Sequence, residues 1–149
     1  MREQLTAAMK DAMKAKDSLR LATVRLIQAA IKDRDIAERT AGKGDLSDDA
    51  ILALLAKMVK SREESAKIYA DNSRPELAEK ELAEIAVIKS FMPAQIDEAE
   101  LPGIVAGVIA ETGAAGLKDM GKVIALLRER YAGQMDFARA SGLVKDQLK

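Results

Sequence analysis

Apolar residues recur three and four positions apart along almost the whole chain, the spacing of amphipathic helices. Leu5, Met9, Ala12 and Met13 predict a first helix over about residues 2–15. Asp17 or Ser18 then offers an N-cap ahead of SLRLATVRLIQAAIKDRDIAER. There Val24, Ile27 and Ile31 centre a broad apolar face that Leu26 and Ala30 widen. Arg25, Lys32 and Asp33 hold the remaining polar stripe. A helix so apolar is expected at the centre of a bundle.

TAGKGD, residues 40–45, is a loop with two glycines. Leu46 and Ile51 then form a hydrophobic staple around a cap at Ser47, and Asp48 and Asp49 favour the helix dipole. This third helix runs to about Asn72. Ser73 and Glu76 have capping-box spacing and predict the start of a fourth, which Pro93 stops at about Met92. Asp97 and Glu100, bracketed by Ile96 and Leu101, repeat the box. Three shorter helices are expected beyond it, over about 98–111, 119–131 and 137–148. Gly113 and Gly116 separate the first two, Gly133 ends the second and Asp136 caps the third. No stretch alternates as a strand would. The predicted fold is all-α, a four-helix part over residues 1–92 followed by a three-helix bundle over 93–149. So small a bundle is marginal alone and is expected to dock on its neighbour or on a partner.

Three charges fall on apolar stripes. The third helix has its stripe at Ile51, Leu54, Leu55, Met58, Ser65 and Tyr69, with Arg62 in the middle. The fourth has Leu77, Ile85, Ile88, Phe91 and Met92, with Glu81 and Glu84 among them. A buried charge without a partner is costly. Arg62 is therefore expected to pair with Glu84, or failing that with Glu81. The competing reading is an anion or carboxylate site built on Arg62.

Composition narrows the chemistry. The chain has 149 residues, 48% of them apolar but only 3% aromatic, as a helical protein would. Lys and Arg number 24 and Asp and Glu also 24, so a general nucleic-acid-coating role is disfavoured and any basic surface is local. With no Cys and no His, thiol nucleophiles, disulfides and the usual zinc sites are excluded. No apolar run approaches the roughly 18 residues of a membrane span. The charged, amphipathic N-terminus is unlike a secretory signal, and a cytoplasmic location is expected. TGAAGLK resembles a phosphate loop in outline only, since the glycine spacing is wrong and the Ser/Thr and preceding strand are missing. GAAG fits the four-residue loop of a KH module, which needs a sheet as well. Carboxylates mostly alternate with bases, as in the i,i+4 pair Glu63 and Lys67. No acid/base dyad stands out. No metal site, cofactor or catalytic residue is expected.

In GLKDMGKVIALLRERYAG, residues 116–133, Met120, Val123, Ile124, Leu127 and Tyr131 form a core face, and Lys118, Lys122 and Glu129 the opposite one. Gly121 costs this helix about 1 kcal/mol relative to alanine. It stacks with Ala125 at i,i+4, on a flank between Lys118 and Lys122 on one side and Arg128 on the other. A sugar-phosphate backbone could approach that smooth strip while the cations neutralise phosphates. Alternatively the strip seats a neighbouring helix, as small residues do.

ETGAAGLKDMGKVIALL, followed by YAGQMD and SGLVKDQL, resembles the C-terminal signature of the GatB/YqeY family. KDSLRLATVRLIQAAIKDRDI, KSREESAKIY and AEKELAEIAVIKSFMPAQI are similar in order and spacing to its stand-alone, YqeY-like branch. The resemblance covers nearly the whole chain. It implies kinship with the helical tail of the tRNA-dependent amidotransferase B subunit, a tail associated with holding tRNA. The amidase and kinase-like cradle of that enzyme have no counterpart here. The family pattern commonly has a small residue and then Asp-Gly after the glycine at 133, where this chain has Met135, Asp136 and Phe137. Pro102, Gly103 and Gly107 stand where stronger helix formers are usual. The resulting expectation is a non-catalytic module binding tRNA, or a tRNA-handling complex, through Lys118, Lys122 and Arg128, with Gly121 permitting the approach. The alternatives are an adaptor in which the same strip seats a partner helix, and an accessory component of a carbon-nitrogen ligase that uses glutamine as amido donor.

Overall fold

The computed structural model describes residues 1–149. All regular structure is helical: α1 (Arg2–Lys14), α2 (Ser18–Thr40), α3 (Asp48–Asp71), α4 (Pro75–Lys89), α5 (Leu101–Thr112), α6 (Met120–Tyr131) and α7 (Phe137–Leu148). Short 3-10 turns at Glu98–Glu100 and Leu117–Asp119 lead into α5 and α6. The chain divides into two compact units, Met1–Pro93 and Ala94–Lys149, each with its own apolar cluster.

In the first unit, α1 buries Leu5, Ala8 and Ala12. Met13, expected on this face, is 50% exposed. It lies about 100° round the helix from Ala12, and Ala8 takes the inward position instead. Val24, Ile27 and Ile31 of α2 are buried as their spacing indicates, but Leu26 is 47% exposed. Helix α2 is therefore not enclosed on all sides. Helices α1 and α4 pack against one side of it, α3 only touches it, and an apolar face is left in solvent. Helices α3 and α4 fold back on each other. The deepest line of α3 is Ile51, Leu55, Val59 and Ala66, rotated from the expected stripe, whose Leu54, Met58, Ser65 and Tyr69 are half-buried.

Caps explain most boundaries. Asp17 accepts a hydrogen bond from the Arg20 N–H at 3.1 Å, and Ser47 from the Ala50 N–H at 3.2 Å. Ser73 departs from its expected role as a cap. Its φ is 58°, in the left-handed region, and Arg74 precedes α4 with Pro75 at the first helical position. Ser73 instead ends α3: its N–H donates to Ala70 O at 3.3 Å and the Arg74 N–H to Tyr69 O at 2.8 Å. This is the Schellman arrangement. Lys16 ends α1 the same way at φ 56°, with its N–H on Met13 O and that of Asp17 on Ala12 O. Helix α4 stops at Lys89, short of the expected Met92, and Phe91 and Met92 continue as a turn that still packs on the core.

The second unit is built from α5, α6 and α7. Leu101, Val105 and Val108 meet Val123 and Leu127, and Ala140, Val144 and Leu148 close the cluster. Asp136 caps α7 by accepting from the Ala138 N–H at 2.9 Å. After α6 the chain reverses at Ala132 and Gly133, whose φ of 73° suits glycine, with the Gln134 N–H on Tyr131 O. The segment before α5 is tied to this reversal. The Ile96 N–H donates to Gln134 O at 2.9 Å, and the Gln95 side-chain amide to Gly133 O at 2.6 Å.

Candidate nucleic-acid interface

The approach to α6 is set by the loop before it. Asp119 does not cap α6. Its carboxylate turns back to accept from the Ala115 N–H at 3.0 Å, which fixes the GAAG connection against the start of the helix. Val123 and Leu127 point fully inward, and Met120, Ile124 and Tyr131 pack at the edge of the same cluster. That orientation puts Gly121, Lys122, Ala125 and Arg128 in solvent, with Lys118 exposed on the preceding turn. A Cβ built on Gly121 would meet nothing within 4 Å, so no other helix of its unit rests on this glycine.

The cations of this unit fall into two groups. Arg130 makes a two-pronged hydrogen-bonded pair with Glu111, which holds that carboxyl below its usual range. Arg139 pairs with Glu98 at 3.3 Å and Lys149 with Asp146 at 4.0 Å. Lys118, Lys122 and Arg128, and Lys145 away on α7, have no acidic partner. Arg128 instead lies over the ring of Phe137, 5.2 Å from its centroid, which directs the guanidinium without neutralising it. The three proposed contacts thus share one exposed surface with Gly121 and Ala125 between them.

Arg62, Glu84 and Glu81 lie in the other unit. Arg62 Nε donates to Glu84 Oε2 at 3.0 Å, and its guanidinium also donates to Met58 O at 3.4 Å. The side chains are only 17% and 13% exposed, so the charge on α3 is met by the charge on α4 where both leave solvent. Glu81 is half-buried and takes no share in the pair.

A second charged cluster was missed from sequence. Arg2 grips Asp35 with both terminal nitrogens, at 2.7 and 2.8 Å, and also donates to Leu46 O at 3.0 Å. The Leu46 N–H donates to Asp35 Oδ1 at 2.9 Å. The Arg2 guanidinium, then the Leu46 amide, hold the Asp35 carboxyl down to about 2. A signal was available. Asp35 follows Ile27 and Ile31 at i+8 and i+4, so it interrupts an apolar face as Arg62 does. No group of three or more acidic side chains is placed to hold a metal ion, and no helix is long and apolar enough to cross a membrane.

A family model described as YqeY-like protein matches residues 2–148. The chain belongs to the YqeY-like family. Its relatives include the protein called "Altered inheritance of mitochondria protein 41, mitochondrial" from Lachancea thermotolerans, 35% identical over 106 residues that cover 69% of this chain and 54% of the relative. The protein of the same name from Kluyveromyces lactis is 33% identical over 86 residues, covering 58% and 45%. The chain spans about half the length of the curated relatives it matches. Met135 is buried in the second cluster, and Phe137 supplies the ring under Arg128. Gly103 and Gly107 are exposed with open space around them, so the core face of α5 is complete without their side chains.

Proposed function

We propose that this YqeY-like protein is a non-catalytic module that associates with tRNA, or with a tRNA-handling complex such as the amidotransferase, through α6. The observation that carries the reading is the unneutralised cation set Lys118, Lys122 and Arg128 flanking an open Gly121, beside basic residues that acids have already claimed. Exposed cations neutralise phosphates, and a glycine floor lets the sugar-phosphate backbone approach the helix. The contacts proposed are to the phosphate backbone. A cytoplasmic setting belongs to the same proposal. The relatives' names place those proteins in mitochondria, and fractionation of the tagged protein from its own cells decides between the two. The test of the interface is a tRNA gel shift at low and moderate salt. Lys122→Glu is expected to weaken the complex about tenfold or more, because one attraction becomes a repulsion. An unchanged shift removes the phosphate role.

One feature favours a protein partner on the same surface. Leu117, next to Lys118, is 49% exposed. In that reading the strip seats a partner helix, and the protein acts as an adaptor or as an accessory component of a carbon-nitrogen ligase that uses glutamine. A pull-down with amidotransferase subunits separates it from RNA binding, since nuclease treatment leaves a protein contact intact. Hydrolysis of glutamine by the purified chain alone would overturn the non-catalytic reading.

A further inference from the structure

Helix α2 carries a face that the fold does not use. Leu19, Ala22, Leu26, Ala29, Asp33 and Ile36 are separated by three, four, three, four and three residues, the seam of a heptad repeat. All six are exposed, including Leu19 at 39%, Leu26 at 47% and Ile36 at 52%. Buried Val24, Ile27 and Ile31 serve the bundle from a different side of the same helix. A helix with one apolar stripe for its core and a second in heptad register has a seam to spare.

The content of the seam says what fits it. Its small residues, Ala22 and Ala29, let a second helix come close. Asp33 sits in the seam, where a charge is costly unless met. The ion pairs of α2 join Asp35 to Arg2, Arg34 to Glu38, Glu38 to Lys43 and Arg39 to Asp45, and neither Asp33 nor Arg25 takes part in one. Position 29 is midway between 25 and 33, and also midway between 22 and 36. An antiparallel copy of α2 crossing at Ala29 therefore sets Arg25 opposite Asp33, and Ala22 opposite Ile36, twice over by symmetry. We propose that the exposed seam of α2 docks against the α2 of a second copy of this chain, antiparallel and centred on Ala29. The same register sets Leu26 opposite Lys32 and Leu19 opposite Arg39, whose aliphatic stems cover the leucines at a shallow crossing of about 20°. A single helix pair is small beside the roughly 1,200 Å² of a standard interface, so the dimer is concentration-dependent.

The chain has no cysteine, which makes the test clean. Ala29→Cys puts one thiol on the two-fold axis and is expected to give a disulfide-linked dimer on mild oxidation. Lys57→Cys, exposed on α3, serves as the control and is expected to give no disulfide-linked dimer. Sedimentation across a concentration series is expected to show a dimer that Asp33→Arg weakens by about tenfold, since both symmetry-related pairs turn repulsive. The doubly reversed Arg25→Asp/Asp33→Arg chain restores it. Circular dichroism checks that each variant is folded. A monomer at every concentration, or equal cross-linking through both cysteines, overturns the proposal. So does an Asp33→Arg dimer as tight as the parent, which would assign association to another surface.

Discussion

Asp35 has the strongest local environment in the molecule. Its carboxyl is held at about 2 against an ordinary 3.8. A folded value below the unfolded one adds stability that is present above about pH 4 and is lost as pH falls towards 2. Urea unfolding at about pH 5 and at about pH 2 is expected to show this. The chain loses stability on acidification, and the gap between it and Asp35→Asn narrows across that window. A gap that does not change with pH would mean that the Arg2 pair contributes nothing in solution. Ser73 and Lys16 are the other informative single residues. Each holds a left-handed conformation that costs a side chain about 1 kcal/mol, because the helix before it ends in a Schellman turn. Ser73→Gly is expected to raise the unfolding free energy read from urea melts by an amount of that order, with no loss at the α4 start, since Ser73 makes no cap there. Sequence alone pointed elsewhere. Ser73 with Glu76 has the spacing of a capping box, but a proline at position 75 and a helix ending at Asp71 decided the geometry first. Spacing is readable from sequence, whereas the φ of the residue between two helices is settled by both of them.

Among the elements, α6 ties local cost to use. Gly121 lies in its first turn with open space where a Cβ would be. Alanine there fits without strain and is expected to stabilise the unit by about 0.5–1 kcal/mol. If the strip receives a phosphate backbone, the same Gly121→Ala change weakens tRNA binding. A rise in melting temperature accompanied by unaltered binding would reduce Gly121 to a tolerated defect. The helices themselves were legible because their signals are local. The staple at Leu46 and Ile51, the caps at Asp17, Ser47 and Asp136, and the three-four spacing all act within one or two turns. Which faces are buried was less legible. Helix α2 looked apolar enough to be enclosed, but a helical wheel does not count how many neighbours arrive. Arg62 was readable as one half of an ion pair because both halves interrupt apolar stripes. Asp35 was not, because its partner Arg2 lies in the first turn of α1, where a charge draws no notice.

At the scale of the molecule, net charge limits what the candidate interface can do. Residues 94–149 hold seven basic and eight acidic side chains, so attraction for RNA comes from the patch and not from the unit. Three phosphate contacts predict a slope of roughly −2 to −3 in log K against log salt. A titration of tRNA binding between low and moderate salt measures it. A slope near zero would exclude the cation set as the contact, and a much steeper one would require cations beyond Lys118, Lys122 and Arg128. Family membership was legible from several stretches in order, since their combination is far more specific than any one. The surface was legible only as a pattern of positions: that Arg130 and Arg139 are neutralised while Lys118 and Lys122 are not depends on where Glu111 and Glu98 arrive from α5 and the turn before it. One consequence reaches beyond the folded state. Arg2 completes its set of partners only when Asp35 and Leu46 are both in place. A ribosome makes α1 ahead of both partners, yet the clamp that secures its beginning cannot close until the chain has been extended past residue 46. The first turn of α1 is thus held only after all of α2 and the loop behind it have been synthesised.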